Sequence, residues 1–335
     1  MLERILIVGL GSIGSRHARL ARETIPGVQI AALRHRECDD IPTDGIDYCF
    51  TSPDEAMRFR PQAAVISNPA THHLEFALPL ARAGVHLLVE KPIACASEGV
   101  HELIDICQAK NAILMVAYNQ RFSPALQRFR ESLGKALIGR VLSVRAEVGQ
   151  YLPGWRPGVD YRNTVSARAE LGGGVLLELS HEIDYLRWLF GDIQWVSAVL
   201  RAQSDLEIDV EDTALLTLGF AGRNGEKPLI ASLNIDFVRQ DSIRTCVAIG
   251  ESGTLKWNAI NGTVELLKKG ESSWQTLFLR SPQRDESYVA EWHHFLGCIV
   301  QGTPPLISGQ DGLAVLNVIQ AARLSSAKRA IVEIE

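Results

Sequence analysis

The feature that most narrows the possible folds is Gly9-Leu10-Gly11-Ser12-Ile13-Gly14, a GxGxxG set between two different periodicities. Before it stands a short apolar run, Ile5-Leu6-Ile7-Val8. After it a helical pattern runs from Ile13 to about Thr24 and stops at Pro26-Gly27. Alone the motif is a weak signal. Between a strand and a helix it has the context that gives it meaning. The first glycine permits a tight turn, the second lets backbone approach a pyrophosphate, and the third lets helix and strand pack closely. The helix N-terminus then offers unpaired N–H groups to phosphate oxygens. Gly9, Gly11, Ser12, Ile13 and Gly14 are therefore expected to bind a dinucleotide.

The chain continues in the same style to about residue 120. Strand patterns at 28–33, 63–67, 85–89 and 112–117 alternate with helical patterns at 74–83 and 97–110. Strands apolar on both faces, separated by helices, predict a parallel sheet covered on both sides. Beyond residue 121 the pattern changes. Alternating runs at 141–149 and 212–220 and further strand-like runs at 193–202, 229–238, 243–250 and 262–268, several separated by turn signals, predict antiparallel strands. Helices are expected over 174–190, 286–301 and 310–328. The expected fold class is an α/β Rossmann domain over 1–120 plus an α+β C-terminal domain over 121–335. A length of 335 residues accommodates two such domains.

Composition excludes several classes. A net charge of -5 lacks the basic footprint of a nucleic-acid binder. No apolar run approaches the roughly 20 residues of a membrane helix, and Met1-Leu2-Glu3-Arg4 runs straight into a strand pattern, so neither an anchor nor a leader is expected. The six cysteines show no metal-like spacing and read as reduced thiols of a cytoplasmic protein. No metal site is expected.

The end of the second strand, Leu33-Arg34-His35-Arg36, lacks the acid that usually holds a ribose 2′-hydroxyl. An arginine there pairs well with a 2′-phosphate. NADP(H) is therefore favoured over NAD(H), with Arg34 and His35 at the cofactor. Stacking of Arg34 on the adenine of NAD, or a solvated loop charge, stays open. Asn68, Pro69 and His73 follow one strand, and Glu90-Lys91-Pro92 follows the next. Strand ends of open α/β sheets bind ligands, which places Asn68, Pro69, His73, Glu90 and Lys91 with the cofactor. A lysine there is suited to polarise a substrate hydroxyl.

Taken together these motifs resemble the Gfo/Idh/MocA family of oxidoreductases, named for glucose–fructose oxidoreductase, inositol dehydrogenase and rhizopine catabolism. The likeness rests on the opening GxGxxG, Asn68-Pro69 with His73, Ala83-Gly84-Val85-His86 and Glu90-Lys91-Pro92. It extends through Tyr118-Asn119-Gln120-Arg121-Phe122-Ser123-Pro124 and Gly172-Gly173-Gly174 to His181-Glu182-Ile183-Asp184 and the tail Ala321-Ala322-Arg323-Leu324-Ser325-Ser326-Ala327. It implies nicotinamide-dependent hydride transfer at a secondary hydroxyl of a sugar, cyclitol or sugar derivative, including nucleotide-linked sugars. It also implies a large, mostly antiparallel open sheet in the C-terminal domain that often joins subunits, hence a homodimer or homotetramer. The family lysine maps onto Lys91, the catalytic histidine onto His181 and its aspartate onto Asp184. Many members carry an aspartate four residues before the histidine. Here Leu177 stands there, and Glu178, one residue on, is the substitute if a continuous helix brings it to His181.

Lysine suits stabilisation of a developing alkoxide and histidine suits proton removal, so both are expected at the nicotinamide. Tyr118, Asn119 and Arg121 are expected to line the substrate site. The aromatic and basic loop containing Trp155, Arg156, Tyr161 and Arg162 is read either as a sugar- and anion-binding segment or as a surface packed on another subunit. A catalytically silent sensor, and a lyase or hydrolase using the nicotinamide as a transient oxidant, are the alternatives. Lys91 together with His181 speaks against the sensor.

Overall fold

The computed structural model describes residues 2–35, 45–222 and 227–334. The chain forms two compact units, one of residues 1–118 with 288–316 and one of 119–287 with 317–335. The sequence pattern gave a single boundary near residue 120. The structure instead groups a C-terminal segment with the first unit.

In the first unit, β1 (Arg4–Val8), α1 (Ser12–Thr24), β2 (Gln29–Leu33), β3 (Tyr48–Phe50), α2 (Pro53–Arg58), β4 (Ala63–Ile66), α3 (His73–Arg82), β5 (His86–Val89), α4 (Val100–Ala109) and β6 (Leu114–Val116) follow one another. The six strands lie in the order β3-β2-β1-β4-β5-β6, and the pairings are parallel. Ile5, Ile7, Ala31, Val65, Leu87 and Leu88 are fully buried, as strands covered on both faces must be. Strand order reverses between β1 and β4, the place where such sheets bind ligands. The short β3–α2 segment carries too few residues to show a period in the sequence.

The second unit holds α5 (Pro124–Gly134), β7 (Val141–Gly149), α6 (Val175–Glu178), α7 (His181–Phe190), β8 (Ile193–Arg201), β9 (Thr213–Phe220), β10 (Leu229–Asp236), β11 (Ile243–Gly250), β12 (Gly253–Asn258), β13 (Thr263–Lys268) and β14 (Gln275–Leu279). After it α8 (Glu286–Gln301) and α9 (Gly309–Lys328) complete the helices, and β15 (Val332–Glu333) closes the sheet edge. The nine strands run β14-β13-β12-β11-β7-β10-β9-β8-β15. Pairing is antiparallel except β10 with β7. One buried row crosses the sheet through Ala198, Leu216, Leu233, Ala146, Cys246, Trp257 and Val264. On that face Tyr185 of α7 meets Trp257 edge-on at 5.3 Å between ring centroids. The opposite face exposes Val199, Leu215 and Ile230.

The expected helix over 174–190 is broken. Leu179 ends α6 with φ -105° and ψ 28°, and α7 starts afresh at His181. Cys95, Cys107, Cys246 and Cys298 form no disulfide bond among the described residues. Cys49 is disulfide-bonded, at variance with the expectation that all the thiols are reduced. No helix among the described residues is long and apolar enough to cross a membrane.

Candidate active site

The glycine loop follows β1, and its three glycines are required for three different reasons. Gly9 has φ +85°, and a Cβ there would lie 2.6 Å from the Asn68 backbone nitrogen. A Cβ on Gly14 would lie 2.0 Å from the Gly9 carbonyl oxygen, so α1 can reach β1 only without a side chain. Gly11 differs: a Cβ there would meet nothing within 4 Å. The protein itself leaves the space above Gly11 open. Gly11 is also the N-cap of α1, no side chain caps that end, and no acid occupies its first turn. An uncapped helix N-terminus behind an open glycine is a cradle for phosphate.

Neighbouring strand ends complete the cradle. Ser67 Oγ donates to the Val8 and Gly9 carbonyls at 3.0 and 2.9 Å, tying the end of β4 to the loop. Asn68 Oδ1 is buried without a hydrogen-bond partner among the described residues. Beyond β2, Arg34 Nη1 is also buried without a partner among the described residues. Orphaned polar atoms of this kind call for a ligand, so the residues fit a dinucleotide. His35 is exposed, and Arg36 lies outside the described residues. His73 is committed to the protein. Its ring nitrogens lie 2.9 Å from the Asn68 carbonyl and 3.3 Å from that of Ile93. Burial lowers its pKa despite those carbonyls, so the ring is neutral and clamps the Asn68-Pro69 turn.

Glu90-Lys91-Pro92 leaves the end of β5, with a cis Lys91–Pro92 bond. Glu90 is 8% exposed. Its Oε1 lies 2.9 Å from His17 Nε2, and its Oε2 accepts the Lys91 backbone N–H at 3.1 Å. Burial alone would raise the Glu90 carboxyl. Its bond to His17 and the charge of Lys91 more than offset this and hold it below the usual carboxylate range. Lys91 itself is half-buried.

In the second unit His181 opens α7 and is half-buried. The acids near it have separate attachments. Asp184, fully buried, takes a two-pronged ion pair from Arg121, Nε to Oδ2 at 2.9 Å and Nη2 to Oδ1 at 2.7 Å. Glu182 is paired with Arg244 of β11 at 2.8 Å. Glu178 accepts from Ser166 Oγ at 2.6 Å. Because α6 and α7 are separate helices, the helical spacing that would bring Glu178 to His181 does not apply.

The expected substrate residues divide. Tyr118, Asn119 and Arg121 are buried, and Asn119 Nδ2 donates to Ser287 Oγ at 2.9 Å. Trp155 packs edge-on against Phe237 at 5.1 Å and donates its indole N–H to the Gln150 carbonyl. Tyr161 Oη accepts the Glu207 N–H at 3.2 Å. Arg162 is held by Asp160 at 2.9 Å and by Glu207 at 3.2 Å. The Arg156 guanidinium has no partner among the described residues, and Trp155, Arg156, Tyr161, Thr164 and Ser166 line a shallow open pocket. Sequence reasoning missed His17, Trp292, Arg244 and Ser166, which hold the recognised residues. No local pattern marks them. Among the described residues no group of three or more His, Cys, Asp or Glu could hold a metal.

Residues 3–118 match the model of an oxidoreductase family with an NAD-binding Rossmann fold, and residues 130–334 match that family's C-terminal alpha/beta domain. The chain belongs to the Gfo/Idh/MocA oxidoreductase family. It is an NAD(P)-dependent dehydrogenase or reductase of that family. Myo-inositol 2-dehydrogenase of Thermotoga maritima is 25% identical over 344 residues, covering 99% of this chain and 98% of that one. Levoglucosan dehydrogenase of Pseudarthrobacter phenanthrenivorans is 26% identical over 314 residues, covering 80% and 79%. The structure of a levoglucosan dehydrogenase in complex with NADH superposes with a TM-score of 0.86, at 22% identity and 99% coverage of both chains, a likeness of fold.

Proposed function

We propose that this enzyme transfers a hydride to or from a secondary hydroxyl of a sugar, cyclitol or sugar derivative, with Lys91 and His181 as its chemical groups. The observation that carries the reading is the placement of Glu90-Lys91-Pro92 at the end of β5, on the same sheet edge as the open glycine cradle. A bound nicotinamide would supply the hydride chemistry, and the protein's part is orientation and charge. Lys91 presents its ammonium to the substrate oxygen and stabilises the negative charge that develops there. His181 takes or returns the hydroxyl proton. The Arg121–Asp184 pair fixes α7, which carries His181. Arg156, an unpaired cation beside Trp155 and Tyr161, supports a substrate that carries an anionic group as well as a sugar ring. The buried, unpartnered Nη1 of Arg34 supports a 2′-phosphate on the cofactor and therefore NADP(H). We further read the enzyme as cytoplasmic and as a homodimer or homotetramer.

The test is a panel of cyclitols, free sugars and nucleotide sugars assayed with both cofactors by nicotinamide absorbance. With the best substrate, Lys91→Met and His181→Ala should each lower turnover by roughly two to four orders of magnitude. Cofactor affinity should change little. Near-normal turnover in both variants would remove these residues from the chemistry.

A further inference from the structure

The buried surroundings of Glu90 hold two carboxyl groups that the fold treats in opposite ways. Trp292 of α8, fully buried, donates its indole N–H to His17 Nδ1 at 2.9 Å. An indole nitrogen only donates, so Nδ1 is an acceptor and carries no proton. In this arrangement the His17 ring, also fully buried, presents its proton at Nε2. That N–H donates to Glu90 Oε1 at 2.9 Å. The chain of donors thus has one direction, Trp292 to His17 to Glu90, and the remaining Glu90 oxygen receives the Lys91 backbone N–H.

Glu291, next to Trp292 on α8, is the counterpart. It is fully buried and neither carboxyl oxygen has a hydrogen-bond partner among the described residues. Burial and the negative charge of Glu90 push its carboxyl well above the usual range. Two neighbouring carboxyls, one given donors and one given none, are driven to opposite protonation states. The other titratable groups acting on this region are Lys91, His73, and Tyr288 with the Arg16 guanidinium over its ring at 4.6 Å. Of these only Lys91 and Arg16 carry positive charge, since burial holds His73 neutral.

We propose that His17 and Trp292 are positioning residues for Lys91, keeping Glu90 ionised so that its carboxylate fixes the lysine's backbone and faces its charge, while Glu291 stays protonated. This rests on the reading of Lys91 as the group that meets the substrate. Trp292 sets the tautomer, His17 delivers the hydrogen bond, and Glu90 passes the effect to the next residue.

Infrared spectroscopy of the cofactor-free protein at neutral pH tests the proposal without any substrate. Wild type should show a buried protonated-carboxyl band that Glu291→Gln removes. In Glu291→Gln with His17→Leu, a band from Glu90 should appear, and Glu90→Gln should abolish it. His17→Gln, which keeps an N–H donor, should not show it. Absence of the Glu90 band in the His17→Leu background overturns the proposal. Should His17→Leu fail to fold, Trp292→Phe provides the second variant, with the Glu90 band expected in part and its absence counting equally against the proposal. In turnover, His17→Leu should lose about 10- to 100-fold in kcat with its acid limb moved up in pH, and His17→Gln should recover most of it. Lys91→Met separates the two ideas. If it keeps turnover, the reading of Lys91 fails. If it loses turnover while His17→Leu matches wild type at every pH, the positioning role fails.

Discussion

Gly11 and Gly14 stand three residues apart, yet a methyl group has opposite meanings at the two positions. At Gly14 it would drive into the Gly9 carbonyl, and such overpacking costs about 1–3 kcal/mol. At Gly11 it would enter open space, so the fold has no objection. Gly14→Ala should therefore lower the denaturation midpoint. Gly11→Val should lower it by no more than the loss of a favoured N-cap residue, about 1 kcal/mol, while weakening cofactor binding by at least about tenfold, a loss of roughly 1.4 kcal/mol. Urea melts and cofactor titrations on both variants separate the two effects. Arg34 is read by the same logic, because its Nη1 is buried without a partner. Arg34→Ala should weaken NADP binding about tenfold or more and leave NAD nearly unchanged. Tighter binding of NAD by wild type, unaltered in the variant, would remove the proposed preference.

Among the described helices, α7 and α8 carry the buried acids Glu182, Asp184 and Glu291. The ion pair of Arg121 with Asp184 has both partners almost fully buried. Removing one partner of such a pair typically costs about 3–5 kcal/mol, because the other is left uncompensated. On α8, Glu291 imposes a pH dependence of known sign. Its folded pKa is raised above its unfolded value. The folded state therefore binds the extra proton, and stability from this group is full below the unfolded pKa and declines as pH rises through the folded one. Glu291→Gln cannot ionise and should escape that decline. Its stability relative to wild type should be greater at pH 8 than at pH 5, as measured by urea unfolding at the two pH values. A constant difference would show that Glu291 titrates alike in the folded and unfolded states, so that its folded pKa is not raised.

At the scale of the whole molecule, the large sheet has one face covered by helices and one that exposes Val199, Leu215 and Ile230. An antiparallel sheet tolerates water on one face when that face is polar. Here Leu215 pairs across the strands with Val199, so apolar side chains adjoin. We expect this face to join copies of the chain. Light scattering at micromolar concentration should give a mass above that of a monomer. Leu215→Lys combined with Ile230→Lys should return it to the monomer without unfolding, since both side chains are exposed in the single chain. A monomeric wild type would refute the expectation.

Much of this protein is legible locally. The glycine loop, the Glu-Lys-Pro turn and the alternation of strands and helices depend on neighbours within a few residues, so periodicity and motif order reveal them. The break between α6 and α7 escaped because the residues around Leu179 and Ser180 carry neither proline nor glycine to announce it. The sequence alone determined that an open sheet would carry a glycine cradle, Lys91 and, on a helix after three glycines, His181. Tertiary structure alone decided what holds them. His17 reaches Glu90 across 73 positions, Trp292 reaches His17 across 275, and Arg121 reaches Asp184 across 63. A buried polar group must find a partner wherever the fold brings one. That requirement acts through space and leaves no period in the chain.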